Sequence, residues 1–154
     1  MYCAAQTNSR RKSPMLDKNL ITKKLALIEG YISELEPIIA LDEAGIVKDN
    51  LKSHTAERLF QLIVDTMVDV NTHIIRTHVL PPPDDLQSTF TVLGEKNILP
   101  ADFTKKIAPV VGLRNAVVHR YDTVSIKRFV HELKKNFGDF KEYVVLVAEQ
   151  FLKE

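Results

Sequence analysis

Arg114, Asn115, His119 and Tyr121 put four hydrogen-bonding side chains into eight residues, between the apolar Val110–Val111 and Val124. Arginine brings a permanently charged planar fork that fits carboxylate or phosphate oxygens. Histidine brings proton transfer near neutral pH. Counted along the helical stripe from Phe103 and Ile107, Arg114 falls where an inward-facing apolar residue belongs. An unpartnered guanidinium there is very costly, so it must meet a carboxylate, a cleft or a subunit boundary. On one ideal helix Arg114 and His119 stand about 140° apart, and His119 and Tyr121 point to nearly opposite sides. The set shares a site only if the helix bends or ends near Val118, or if two subunits pool their copies about a two-fold axis. Spacing alone favours a structural arginine and a capping histidine.

Other residues with chemical potential are scattered. Asp65 and Asp69 lie on the preceding long helix, which must face the segment, so either carboxylate is a candidate to pair with Arg114 or polarise His119. Asp69 is the supporting carboxylate expected. Asp69 and His73 are four residues apart, a spacing that can hold a metal, but no second pair accompanies them and a solvent-facing pair is the simpler reading. No metal is expected. His54, His78 and His131 stand alone, and there is no phosphate-binding glycine loop, nucleophile elbow or zinc motif.

The elements that must position these residues read as helices. Ile21, Leu25, Ile28, Ile32, Leu35 and Ile39 alternate four and three apart on one face, until Pro37 kinks or ends the helix and Gly45 closes a connector. Ala56, Phe60, Ile63, Met67, Val70 and Ile74 mark a second helix from about Asn50 to His78, stopped by Pro81, Pro82 and Pro83. A short helical piece spans Ser88 to Leu93. A further helix starts near Ala101 and turns Phe103, Ile107, Val110 and Val117 inward. After a turn at Tyr121 to Thr123, a last helix carries Ile126, Val130, Leu133, Phe137, Phe140, Val144, Val147 and Phe151. No segment alternates like a strand. The expected fold is all-α, an antiparallel four-helix bundle with an additional short helix. Residues 15–154 make one domain, and residues 1–14, polar and without periodicity, a disordered basic arm with Arg10, Arg11 and Lys12.

Composition narrows the classes. With 154 residues, 45% hydrophobic and 27% charged, the chain is long enough for a real core. A formal net charge of +1 excludes a global positive field, so any nucleic-acid contact must be a local patch. The single cysteine, Cys3, excludes an internal disulfide framework. No apolar run reaches the roughly 20 residues that span a bilayer, and no apolar segment follows the N-terminal charges as a secretory signal requires. A cytoplasmic location is expected, without membrane contact.

The string Arg114-Asn115-Ala116-Val117-Val118-His119-Arg120-Tyr121 resembles the signature of HEPN-domain proteins: arginine, often followed by asparagine, then histidine, one spacer and tyrosine. The likeness to the HepT branch extends upstream through Ser88-Thr89-Phe90, Leu93-Gly94-Glu95 and Ile98-Leu99-Pro100 to Phe103, Ile107 and Ala108. It covers roughly residues 17 to 152. The resemblance implies a homodimeric, metal-independent endoribonuclease toxin that needs no cofactor. It also implies neutralisation by a minimal nucleotidyltransferase antitoxin (MntA-like) encoded beside it, which adds AMP to the tyrosine matched by Tyr121. RNA cleavage without metal needs a base for the 2′-hydroxyl, an acid for the leaving 5′-oxygen and a cation for the phosphorane charge. On that reading His119 transfers protons, Arg114 stabilises the transition state and Asn115 orients one of them. Lys105, Lys106, Arg120, Lys127 and Arg128 flank the segment as RNA-guiding cations. The alternative is a non-catalytic helical module in which Arg114, His119 and Tyr121 recognise a nucleotide or partner within a nucleotidyltransferase complex. Growth arrest by the chain alone, lost in His119→Ala, separates the two.

Overall fold

The computed structural model describes residues 15–119 and 125–153. Helix α1 (Lys18–Ile39) starts at Asp17, whose carboxylate accepts the Leu20 N–H at 3.0 Å. Its buried face is Ile21, Leu25, Ile28, Ile32 and Leu35, each such side chain contributing about 1.5–3 kcal/mol by leaving water. Pro37 does not stop it at once. Lying in the last turn, it forfeits one backbone bond, and the helix runs on to Ile39. Helix α2 (Glu43–Lys48) occupies the expected connector, with Asp42 capping the Gly45 N–H at 2.8 Å and Ile46 turned inward.

Helix α3 (Asn50–Thr77) is the central rod and ends just before Val79 enters the left-handed region at φ 53°. Helix α4 (Ser88–Glu95) follows the prolines, then α5 (Ala101–Ile107) and α6 (Val110–His119). The single helix expected from Ala101 is thus two. Pro109 has no N–H to continue the ladder, and the chain restarts with Val111 N–H on the Ala108 carbonyl at 3.2 Å. Helix α7 (Ile126–Phe151) is capped by Ser125, whose hydroxyl accepts the Arg128 N–H at 3.2 Å.

Helices α1 and α7 pack on each other and on α3, α2 bridges α3 and α7, α4 joins α3 to α5, and α6 lies on α3. The middle of the core is aromatic: Phe60 meets Phe129 edge-on at 5.4 Å and Phe140 at 6.1 Å. One buried polar cluster ties three helices together. The Tyr143 hydroxyl donates to Asn71 Oδ1 at 2.7 Å, Asn71 Nδ2 to Thr89 Oγ1 at 3.2 Å, and Thr89 to the Leu86 carbonyl at 2.7 Å. Among the described residues no buried side-chain polar atom lacks a partner. None of these helices is long and apolar enough to cross a membrane, and none of the described residues forms a strand. The expected N-terminal arm lies outside the described residues.

Candidate active site

Helix α6 is held at its start by apolar burial of Val110 and Val111, and from Leu113 onward its side chains are half-buried or exposed. Arg114 takes over the contact with α3. Its Nε donates to Asp65 Oδ1 at 2.7 Å and its Nη2 to Asp65 Oδ2 at 3.2 Å. Arg114 Nη1 donates to Asn115 Oδ1 at 3.3 Å. The guanidinium that sequence placed in the core stripe therefore meets a carboxylate, with 17% of its side chain exposed against 40% for Asp65. Of its five donors, three are used. One N–H on each Nη is left, and together these form the end-on edge of the fork.

His119 is the last residue of α6 and is exposed. The helix ends where the sequence reading required it to end for Arg114 and His119 to share a site. Beside it a groove of 270 Å³ runs between α3 and α6, lined by His54, Glu57, Arg58, Gln61, Val117 and Val118. Glu57, Arg58 and Gln61 were legible only as non-core positions. Nothing local reveals that α6 lies against them.

The remaining expectations divide. Asp69, expected beside the Arg114–His119 pair, is bonded to Lys24 of α1 at 3.2 Å, and Asp65, one turn earlier, takes the place beside Arg114. His73 accepts the Asp17 backbone N–H on Nε2 at 3.0 Å, which engages it at the start of α1. Lys106 is bound to Glu142 at 2.9 Å and Asp139 at 3.4 Å on α7; the Glu142 hydrogen bond is the main reason its pKa is raised. Lys127 and Arg128 are exposed in the first turn of α7, and Arg128 borders a 310 Å³ groove with Gly112, Ala116 and Asn136. Arg120 and Tyr121 lie outside the described residues.

A strand-free bundle whose sixth helix pins an arginine side-on to a carboxylate and ends on a histidine belongs to the HEPN class. The family model described as "Ribonuclease HepT-like" matches residues 28–147, and the chain belongs to that family. The mRNA nuclease HepT of Shewanella oneidensis is 23% identical over 132 residues, covering 86% of this chain and 98% of that protein. The tRNA nuclease HepT of Aphanizomenon flos-aquae is 34% identical over 105 residues, covering 68% and 71%. Among solved structures, the tri-AMPylated Shewanella oneidensis HEPN toxin in complex with MNT antitoxin superposes with a TM-score of 0.79. It has 22% identity and covers 86% of this chain and 99% of that one. The Bacillus subtilis cytosolic protein of unknown function YutE has the same fold, with a TM-score of 0.76 at 12% identity over 88% and 90% of the chains.

Proposed function

We propose that the chain is an endoribonuclease toxin in which Arg114 and His119 cleave RNA without a metal ion. The observation that carries this reading is the side-on Arg114–Asp65 pair. Asp65 fixes the guanidinium plane but leaves the end-on edge to grip a second anion, and a phosphodiester has the matching pair of oxygens. A base removes the 2′-hydroxyl proton and O2′ attacks phosphorus. An acid protonates the departing 5′-oxygen, leaving a 2′,3′-cyclic phosphate and a 5′-hydroxyl. His119 serves as the proton-transfer group, and Arg114 neutralises charge that grows on the phosphorane oxygens. One histidine per chain supplies base or acid, so a two-fold homodimer that joins two His119 side chains supplies both. Asn115 holds the Arg114 Nη1 edge in place.

The partner is a minimal nucleotidyltransferase antitoxin of the MNT type, which silences the toxin by transferring AMP to Tyr121. Support comes from the family and from the tri-AMPylated toxin–antitoxin complex of similar fold. The deciding experiment is cleavage of single-stranded RNA in excess EDTA. Cyclic-phosphate ends should form, DNA of the same sequence should stay intact, and His119→Ala and Arg114→Ala should each abolish cleavage, since proton transfer alone is commonly worth 10²–10⁴-fold. Activity that is lost with EDTA and restored by Mg²⁺ would overturn the mechanism.

A further inference from the structure

The face of α3 that carries Asp65 continues toward the helix end. Thr72 and Arg76 lie within about 20° of Asp65 around the axis, and Arg76 stands about 16 Å further along it. There α1 crosses and leaves a cavity of 210 Å³ whose polar lining is Lys24, Asp69, Thr72, His73 and Arg76. Two permanent cations face one carboxylate. Lys24 Nζ gives Asp69 one hydrogen bond and keeps further donors, while Arg76 is exposed and has no ion-pair partner among the described residues. Because the Asp17 N–H occupies His73 Nε2, the neutral ring carries its proton on Nδ1 and is a donor there. Asp69 apart, the polar side chains of this cavity can all donate to an anion. A chain of net charge +1 has no long-range field to hold a polyanion, so its grip must come from clusters of this kind.

We propose that this cavity is a second phosphate subsite, in which Lys24 and Arg76 hold a backbone phosphate of the RNA strand a few nucleotides from the bond at Arg114. It rests on the ribonuclease reading and adds to it a track along α3. The test uses the full chain carrying His119→Ala, so that RNA is bound and not cut, and a labelled single strand of roughly 12 nucleotides read by fluorescence anisotropy. Lys24→Gln with Arg76→Gln should weaken binding and lower the slope of log affinity against log salt by about 1.4, for two lost phosphate-directed cations. Asp69→Asn, which removes the competing carboxylate, should tighten binding. In the chain with His119 restored, the double substitution should lower kcat/KM for the long RNA several-fold more than for a dinucleoside monophosphate, which cannot reach the cavity.

Unchanged affinity and salt slope in the double variant would overturn the subsite, and so would equal losses on long and short substrates. If the variants match a parent that binds and cleaves RNA, only the subsite falls. If the parent itself neither binds nor cleaves RNA, the ribonuclease reading falls and the subsite with it.

Discussion

Asp65 grips Arg114 by its side, through Nε and Nη2, across 49 residues of sequence. The pair is partly open to water, so it adds at most about 1 kcal/mol to stability. Its larger effect is on orientation. Asp65→Asn should lower the melting temperature by only about 2–4 °C while cutting kcat by up to about 10²-fold through a misplaced guanidinium. Asp65→Glu should recover part of the loss. Arg114→Lys, which keeps the charge but not the two-edged fork, should cleave as poorly as Arg114→Ala. Parental kcat in Asp65→Asn would remove it from the site.

A Cβ on Gly94 would lie 2.0 Å from Thr104 Oγ1, because α4 and α5 approach so closely there. Gly94→Ala should cost about 1–3 kcal/mol by overpacking. Thr104→Ala removes the offending hydroxyl and should restore much of that loss in the double variant, a non-additivity visible in urea unfolding. Purely additive losses would mean that another contact sets the need for glycine.

Burial pushes the Tyr143 phenol well above its usual value of 10.0. An unfolded chain ionises this tyrosine near its ordinary value, whereas the folded chain keeps it neutral. The stability it contributes is therefore present below about pH 10 and is lost as pH rises toward the folded pKa. Tyr143→Phe should flatten the alkaline fall in unfolding free energy relative to the parent. At neutral pH it should cost about 1–3 kcal/mol, since Asn71 Oδ1 loses its donor in a dry core. Parallel alkaline curves for the two chains would refute this account.

Tyr121→Phe removes only the hydroxyl. We expect a folded chain that still cuts RNA but is no longer silenced by ATP and an MNT-type partner, because adenylate on Tyr121 would set a negative phosphodiester near Arg114. Mass spectrometry that finds adenylate elsewhere, with the variant still silenced, would reject Tyr121 as the acceptor.

The long helices were readable because α1, α3 and α7 repeat their apolar residues over many turns, which leaves the 3.6-residue period unmistakable. Helix α2 was not, since six residues around Gly45 are too few to show a period. The break before α6 did have a signal in Pro109, which an apolar pattern running through Ile107, Val110 and Val117 outweighed. Arg114 and His119 stood out as polar groups in an apolar stretch. Their carboxylate did not, because Asp65 and Asp69 lie one turn apart on the same helix. Choosing between them requires knowing how far α6 slides along α3, and no local pattern encodes that distance.

That distance has a ruler. The apolar rows of α3 and α7 would fit nearly as well if one helix slipped by a turn, about 5.4 Å, since Ile, Val, Met and Phe recur at each step. The cluster of Tyr143, Asn71 and Thr89 tolerates no such slip, because each partner would be left unsatisfied inside the core. Thr89 belongs to α4, and α5 and α6 follow it along the chain, so the same three side chains also fix where α6 comes to rest. One turn either way would set Arg114 opposite Gln61 or Asp69. A buried amide, a phenol and a hydroxyl thus select, among nearly equivalent alignments, the one in which Arg114 finds Asp65.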